Sequence, residues 1–306
     1  MADPTRYESP AAFRRALTDR LKSRAAGGPW PLPALQRQFA YERLLARCYA
    51  LDADWVVKGA AAMLARGIAV RHTLDIDVYR DAEVREAVAS LRRAADLDLG
   101  DWMTFRLGQT TTIEAGSQAA RVPVEVSIGV SGWTRFHDDV VGSGLHMTGT
   151  PESARGLVRV ELAGIEIPNL TVYPLVDHLA DKFCAIVETH GSQERASTRY
   201  KDLIDLPALI GADAHAGHAM RRALDSEAGR RWLDLPPRFV VPDSATWSRG
   251  YRAEAARTEQ QRVLPYEDAV RLVARFLDPV LAGGDTGIWD PSGLKWSAAD
   301  ESSRRP

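Results

Sequence analysis

Apolar residues recur at helical spacing in the first fifty residues. Phe13, Leu17 and Leu21 stand four residues apart within residues 10–24, which is the spacing of one face of an amphipathic helix. Glycine and proline at positions 27–31 interrupt the pattern. Residues 33–49 then predict a second helix.

After residue 50, apolar and polar residues alternate with the period of two that is typical of strands, instead of the helical period. Strands and helices alternate in this part of the chain, which favours an α/β or α+β core built on one sheet. The predicted strands are residues 55–58, 73–79, 104–114 and 122–128, and the predicted helices are residues 60–66 and 81–95.

The rest of the chain has a different organisation. We predict a loop at 132–150, a short strand pair at 158–167, and mainly helices from 175 to 281. The tail is rich in Gly, Asp, Ser and Arg and is expected to be disordered or loosely attached. The predicted domains are N-terminal helices at 1–50, an α/β core at 51–172, a helical domain at 173–282 and the tail at 283–306.

Two aspartates, Asp75 and Asp77, stand one residue apart in a predicted strand. Because side chains alternate along a strand, both carboxylates project from one face, and Leu74, Ile76 and Val78 project from the other into a core. Neighbouring carboxylates repel each other unless a cation lies between them. The pair therefore predicts a divalent metal ion, Mg²⁺ or Mn²⁺.

Glu125 is a third acidic candidate, in a predicted strand whose apolar residues alternate with it. If that strand neighbours the strand of Asp75, three carboxylates converge on one sheet face and hold one or two metal ions. The alternative is that Glu125 simply faces the solvent.

Lys182 stands at the edge of an apolar helical face, nearly in line with Leu179 and Ile186. A lysine there either snorkels, pairs with Asp177 or Asp181, or meets an anion such as a metal-bound triphosphate.

Asp202 is four residues before Leu206, so it also leans towards the packed side of a helix. Asp205 has a simpler interpretation as an N-cap, with Pro207 in the first helical turn. Asp202 is therefore the better functional candidate of the two.

Composition sets the broad class. The 306 residues are 45% hydrophobic and 26% charged, with a net charge of −2 and two cysteines that lack metal-ligand spacing. No apolar run approaches membrane-spanning length. We expect a soluble cytoplasmic protein without disulfides, and any nucleic-acid surface must come from local basic clusters.

Four stretches, taken together and in order, resemble the AbiEii/AbiGii toxin family of nucleotidyltransferases, which includes the mycobacterial MenT toxins. They are Lys58-Gly59-Ala60, Arg71-His72-Thr73-Leu74-Asp75-Ile76-Asp77, Asp181-Lys182, and Arg199-Tyr200-Lys201-Asp202-Leu203-Ile204-Asp205-Leu206. The resemblance covers roughly residues 7–282. Ala60 departs from the Gly or Ser of the family and supplies no hydroxyl, although its backbone N–H at a helix start remains.

The resemblance implies an α+β fold with a mixed sheet flanked by helices and a mainly helical C-terminal half. It implies transfer of a nucleoside monophosphate from an NTP to a hydroxyl, with release of pyrophosphate. The implied roles are metal binding by Asp75 and Asp77, with Glu125 as the candidate third ligand, nucleotide contacts by Gly59, Ala60, Arg71 and Thr73, triphosphate binding by Lys182, and either positioning or base catalysis by Asp202. Arg71 has an equal alternative as the ion-pair partner of a site carboxylate.

For MenT-like toxins the resemblance suggests the 3′ end of tRNA as acceptor, so that translation is blocked, and a cognate antitoxin as partner. Two groups of basic residues offer a surface for tRNA phosphates. They are Arg14, Arg15, Arg20, Lys22 and Arg24, and Arg221, Arg222, Arg230 and Arg231. Solvated helix faces are the alternative for each group.

Three other functions compete with this one. In the first, the enzyme transfers the nucleotide to a protein or to a small molecule such as an aminoglycoside. In the second, the chain is a non-catalytic nucleotide- or RNA-binding module. A metal-dependent hydrolase is disfavoured, because His72 is the only histidine near the two aspartates.

Overall fold

The computed structural model describes residues 7–113, 118–190, 195–258, 263–284 and 286–297, and these form two compact units. The first unit holds the described residues of Met1–Gly67, His72–Leu145 and Pro151–Val172. The second holds those of Ile68–Arg71, His146–Thr150 and Tyr173–Pro306.

The first unit combines four helices with the strands of one large sheet. In chain order its elements are α1 Pro10–Gly27, α2 Leu32–Leu51, β1 Trp55–Lys58, α3 Gly59–Arg66, β2 Asp75–Arg80, α4 Val84–Ala95, β3 Met103–Leu107, β4 Thr111–Thr112, β5 Ala119–Ile128, β6 Ser131–Val141, β7 Glu152–Arg155 and β8 Asn169–Val172.

The sheet of the first unit is mixed. Its order is β3-β5-β6-β2-β1-β8-β7, with the short β4 also paired to β5. Strand β2 runs parallel to β6, and β1 runs parallel to β8, whereas the other neighbours are antiparallel. The predicted α+β fold with a mixed sheet flanked by helices is confirmed.

One face of this sheet forms the core of the unit. Val122, Val124 and Val126 alternate with exposed or half-buried residues along β5, and all three are buried. Helix α2 packs on this face, where Tyr41 meets Phe136 edge-on with ring centroids 4.6 Å apart. The opposite face of β5 is therefore left for polar side chains.

A buried ion cluster fastens α2 to the segment before β3. Arg47 donates to both carboxylate oxygens of Asp101, at 2.7 and 2.8 Å, and Arg43 donates to one of them at 2.8 Å. Burial alone would raise the pKa of Asp101, but the two guanidinium groups outweigh it and hold that pKa below its usual value. The carboxylate is thus ionised and fully paired in the core.

The second unit is mainly helical. Its elements are α5 Leu175–Val187, β9 Thr189–His190, β10 Arg195–Ala196, α6 Tyr200–Ile210, β11 His215–Ala216, α7 Gly217–Arg231, α8 Ser244–Ala256, α9 Tyr266–Leu281, β12 Ile288–Asp290 and β13 Lys295–Ser297. Helix α5 packs against α6 and α7, and α6 packs against α8 and α9.

The tail differs from its prediction in the part that the structure describes. Strands β11, β12 and β13 form a small antiparallel sheet, and Trp289 and Trp296 both pack against Phe276 of α9. Two aromatic side chains anchor this segment although its composition is polar. Residues 298–306 lie outside the described part of the chain.

The predicted N-terminal helices are confirmed, and Phe13, Leu17 and Leu21 are completely buried. Strand β2 begins two residues later than predicted, at Asp75. Leu74 therefore precedes the strand and is 59% exposed, so the prediction that it points into the core is wrong.

Three strand predictions need correction. Residues 131–141, predicted largely as loop, form the long strand β6. At 158–167 only an isolated bridge joins Leu162 to Ile165, and the paired strands are β7 and β8 instead. The strand predicted at 104–114 is split into β3 and β4, and Glu114 lies outside the described residues.

Among the helices that the structure describes, none is both long and apolar enough to cross a membrane.

Candidate functional site

Asp75 and Asp77 lie on the face of β2 opposite the core. Ile76 and Val78, between and beside them, are completely buried, whereas both aspartates are half-buried. The alternation expected of a strand thus turns two carboxylates to the open face of the sheet. Two acidic side chains on one face concentrate negative charge there.

Thr73 fixes the orientation of Asp75. Its hydroxyl lies 2.6 Å from Asp75 Oδ1 and 2.9 Å from the Asp75 carbonyl oxygen, and Thr73 itself is buried. A buried hydroxyl that donates to a carboxylate restricts the rotation of that side chain. Thr73, predicted as a nucleotide contact, is placed here as a partner of Asp75.

Gly59 makes room for the Asp77 carboxylate at the start of α3. Its φ is +56°, and a Cβ added at this position would overlap Asp77 Oδ2. Only glycine adopts this conformation readily and allows such an approach. The Asp77 carboxylate therefore lies at the N-terminal end of α3, where the helix dipole favours negative charge. Ala60 follows as a buried residue in the first turn.

A further carboxylate, Asp139, stands beside Asp77. Strands β2 and β6 are parallel, and their register sets Asp77 opposite Asp139, so both side chains share one face. The guanidinium group of Arg121, on β5, forms a bidentate pair with Asp139. Its Nε donates to Oδ1 at 2.7 Å and its Nη2 donates to Oδ2 at 2.6 Å. The hydrogen bond to Asp139 raises the pKa of Arg121, and Asp75 and Asp77 add to this effect.

Asp138, the residue before Asp139, faces the other way. It pairs in register with the core residue Ile76 and is 1% exposed. Burial, followed by the nearby charges of Asp139 and Asp77, raises the pKa of Asp138 well above its usual value. The uncharged acid is therefore favoured, and this side chain belongs to the core rather than to the open face.

Glu125 is not brought to the two aspartates. Strand β6 lies between β5 and β2, so the condition that the two strands are neighbours is not met. Glu125 is instead paired with Arg135 at 3.2 Å, and its side chain is 49% exposed. Within the described residues, no group of three or more His, Cys, Asp and Glu side chains is arranged to hold a metal ion.

The second unit contains a cluster of four charged side chains around Lys182. The Lys182 ammonium donates to Asp202 at 2.7 Å and to Asp205 at 2.8 Å. Asp177 and Asp181, the alternative partners in sequence, bind Thr148 and Arg231 instead. We call Arg71, Lys182, Asp202 and Asp205 the Lys182 cluster.

Lys182 is buried but charged. Burial by itself lowers the pKa of its ammonium, but the carboxylates of Asp202 and Asp205 outweigh this effect and raise it above the usual value. Two of the three N–H donors of the ammonium are engaged by these carboxylates. Asp202 thus positions Lys182 in the structure.

Asp205 is the centre of the Lys182 cluster. Arg71 donates to both of its oxygens, at 3.0 and 2.8 Å, and Lys182 donates to one. Burial would raise the pKa of Asp205, but Arg71 and Lys182 lower it to about 2. Arg71 thus forms the ion pair that was one of its two alternatives, and its contact with a nucleotide stays a prediction.

The interpretation of Asp205 as an N-cap is wrong. Helix α6 begins at Tyr200, with Arg199 as its N-cap, and continues through Pro207 to Ile210. Asp205 therefore lies inside the helix, and it is 1% exposed.

The sequence analysis also missed two residues of the carboxylate face, Asp139 and Arg121. One feature of the sequence could have indicated Arg121: apolar and polar residues alternate along 119–128, which puts Arg121 on the same strand face as Glu125.

Comparison with known proteins identifies related sequences and folds. The family described as nucleotidyl transferase AbiEii toxin, type IV toxin–antitoxin system, matches residues 43–278. No curated protein gives a match.

Several solved structures are similar to this chain, among them the following two. One is MenT4, a nucleotidyltransferase toxin from Mycobacterium tuberculosis H37Rv, with 18% identity, 95% of each chain covered and a TM-score of 0.56. The other is JHP933 from Helicobacter pylori, with 14% identity, 79% of this chain and 94% of that chain covered, and a TM-score of 0.40. The likeness to MenT4 supports the α+β fold.

The contact between Gly59 and Asp77 generates a prediction with a matched control. Gly59→Ala and Gly67→Ala both force alanine into the left-handed region, which costs about 1–2 kcal/mol of unfolding free energy. At Gly67 a Cβ meets nothing within 4 Å. Gly59→Ala also displaces the Asp77 carboxylate, so it alone should lower nucleotidyl transfer, by roughly 100-fold.

Urea unfolding and incorporation of labelled nucleotide measure the two effects separately. Equal activity in the two folded variants would show that the approach of Gly59 to Asp77 has no role.

The low pKa of Asp205 predicts how stability depends on pH. A carboxylate whose folded pKa lies near 2 rather than 3.8 stabilises the fold above pH 3.8 and loses this contribution as the pH falls towards 2. The unfolding free energy of the wild type minus that of Asp205→Asn should be constant near neutral pH. It should shrink by about 2 kcal/mol between pH 4 and pH 2. Urea unfolding at stepped pH measures the difference, and a difference that does not change over this range contradicts the assignment.

Proposed function

The chain belongs to the AbiEii family of nucleotidyltransferase toxins of type IV toxin–antitoxin systems, and from this premise we propose that it transfers a nucleoside monophosphate from an NTP to the 3′ end of a tRNA. The observation that carries the proposal is the pair Asp75 and Asp77 on the open face of β2, with Gly59 holding Asp77 at the start of α3. Carboxylates and a helix N-terminus are what a metal-bound triphosphate requires.

The donor set fits Mg²⁺ or Mn²⁺. Mg²⁺ is commonly bound by one or two carboxylates, with substrate phosphates and waters completing its shell, rather than by an all-protein cage. Asp75 and Asp77 supply two carboxylates. The Thr73 hydroxyl already orients Asp75 through a hydrogen bond of 2.6 Å to Asp75 Oδ1. When bound, such an ion neutralises phosphate charge and stabilises the transferring group.

The start of α3 is proposed to bind phosphate oxygens. Its first backbone N–H groups have no partner within the helix, as at any helix N-terminus. The space that a side chain at Gly59 would fill is occupied by the Asp77 carboxylate, and the methyl group of Ala60 is buried. Main-chain donors therefore replace the hydroxyl that a serine would offer at position 60.

The Lys182 cluster is proposed to bind and orient the triphosphate. Its four side chains, Arg71, Lys182, Asp202 and Asp205, carry two positive and two negative charges, so the cluster has no net charge. Asp202 and Asp205 accept two of the three N–H groups of the Lys182 ammonium. Lys182 therefore acts through its third N–H group, whose direction is set by the other two hydrogen bonds. Asp202 acts as a positioning residue, because its Oδ1 accepts a hydrogen bond from the Lys182 ammonium group at 2.7 Å.

Helix α1 is the better of the two basic surfaces for tRNA. Arg15, Arg20, Lys22 and Arg24 are exposed. In the second group, Arg230 and Arg231 form ion pairs with Glu227, and Arg231 also binds Asp181 and Glu188. Cations that are already paired contribute little to binding phosphates. A cognate antitoxin is the second macromolecular partner that the family implies.

The acceptor is tested with an α-labelled NTP, total tRNA and Mg²⁺. Label should appear at the tRNA 3′ end, and it should be lost when EDTA is added or when the 3′-hydroxyl is oxidised with periodate. Asp75→Asn should reduce the rate by at least about 1000-fold, because it removes a charge that holds the metal. Activity in EDTA would contradict the metal, and label on protein or an aminoglycoside but never on RNA would contradict the tRNA acceptor.

The role of α1 is tested with two triple variants of equal charge change. Replacing Arg20, Lys22 and Arg24 by alanine should weaken tRNA binding and reduce the slope of log K against log salt concentration by about 1 for each phosphate that is no longer neutralised. Replacing the exposed Arg85, Arg93 and Arg106 is the control and should have little effect. Filter binding at several salt concentrations gives both slopes, and equal weakening by the two variants would argue against a surface on α1.

A further inference from the structure

An exposed histidine, His137 of β6, stands beside Asp75 on the open face of the sheet. Strands β2 and β6 are parallel, and Asp75 and His137 are register partners, so their side chains share one face. Phe136 and Asp138, on either side of His137 in the strand, are buried, whereas His137 is exposed. Neighbouring strands lie about 4.8 Å apart. The imidazole ring is therefore attached one strand away from a proposed metal ligand.

Pro123 of β5 lies on the other side of His137. The two residues are register partners on antiparallel strands, and Pro123 is half-buried. The Pro123 carbonyl oxygen accepts a hydrogen bond from Gly108 N at 2.8 Å, on the side of β5 that faces β3. Pro123 and His137 are thus a non-hydrogen-bonded pair, the kind in which opposite side chains are closer. We call these two residues the ring pair.

The ring pair differs in chemistry from the positions on either side of it. Two ion pairs flank it along β5 and β6, namely Arg121 with Asp139 and Glu125 with Arg135. Between them the sheet presents one saturated ring and one aromatic ring, next to the carboxylate of Asp75. This part of the open face suits a flat ligand group that carries no charge and is joined to a charged one.

A nucleobase joined to a triphosphate is such a ligand. Nucleobases are flat and uncharged, and proteins bind them by stacking on aromatic side chains, including histidine. The ribose links the base to the phosphates, so a triphosphate held at Asp75 brings its base close to the neighbouring strands.

We propose that the ring pair binds the base of the incoming NTP, which stacks on the imidazole of His137. The inference rests on the function proposed above, and it adds the residue that holds the base. Every base has a π-face, so stacking on His137 supplies affinity for the nucleotide rather than a choice among the four bases.

Isothermal titration calorimetry of the full chain with Mg²⁺ tests the proposal without measuring transfer. One probe is an NTP analogue whose bridge between the α- and β-phosphates cannot be cleaved. The other is inorganic tripolyphosphate, which has the phosphates and no base. His137→Ala should weaken binding of the NTP analogue by roughly 10-fold, the loss typical of one stacking side chain. It should leave binding of tripolyphosphate unchanged.

Two further variants separate stacking from other roles of this face. His137→Phe keeps an aromatic ring and removes both ring nitrogens, so it should bind the NTP analogue within about threefold of the wild type. Arg135→Ala is the matched control, because it truncates an exposed side chain two residues earlier on the same face of β6. It should leave the affinity for the NTP analogue unchanged, and a loss equal to that of His137→Ala would overturn the assignment to His137.

Circular dichroism establishes that each variant is folded, and His137→Gln replaces His137→Ala if that variant does not fold. Unchanged affinity for the NTP analogue in the folded variant would overturn the inference and leave nucleotidyl transfer intact. An equal loss for tripolyphosphate would indicate a phosphate or metal contact, and an equal loss in His137→Phe would indicate a contact through the ring nitrogens. Either result would also overturn the inference.

Filter binding of tRNA distinguishes the incoming base from the base of the acceptor. Weaker tRNA binding by His137→Ala, with unchanged affinity for the NTP analogue, would assign the ring pair to the acceptor and contradict the proposal. A wild type that binds neither the NTP analogue nor tripolyphosphate would contradict the nucleotide site of the proposed function itself.

Discussion

The register of β2 between β1 and β6 is the constraint on which the carboxylate face depends. Five residues of β2 pair with β6 and four with β1. A shift by one residue would turn Ile76 and Val78 outwards and move both aspartates into the core. Burying a carboxylate without a partner costs several kcal/mol. The burial of two apolar side chains thus holds the two charged ones in place.

Each unit balances the charges that it concentrates. In the first unit Arg121 neutralises Asp139 beside Asp77, and in the second unit Asp205 lies between the cations Arg71 and Lys182. Such pairs add little to stability when they are exposed, but removing one partner of a buried pair is costly. The Lys182 cluster and Asp139 are mostly shielded from water, whereas Arg121 is exposed. The ion pairs keep their geometry before any substrate binds. This arrangement suits a reaction that relies on positioned charges.

The sequence predicts part of this arrangement and misses part of it for a definite reason. The alternation in β2 is regular, so Asp75 and Asp77 can be recognised from it. In β6 the core-facing series Phe136, Asp138, Val140 contains a buried carboxyl group, which breaks the period-two pattern and conceals the strand. The acid is tolerated there because burial favours its uncharged form. With the strand concealed, Asp139 and its pairing with Arg121 could not be predicted.

Asp205 shows a second limit of local reasoning. An aspartate two residues before a proline fits an N-cap, and nothing nearby in the sequence contradicts that interpretation. Its main partner, Arg71, is 134 positions away, so only the fold reveals the pair. Helix α6 passes through Pro207 because burial of Leu203, Leu206 and Ile210 outweighs the hydrogen bond that proline cannot make. The same packing sets Asp202 and Asp205 within one turn of each other, and two carboxylates at that spacing hold one ammonium group in a fixed direction.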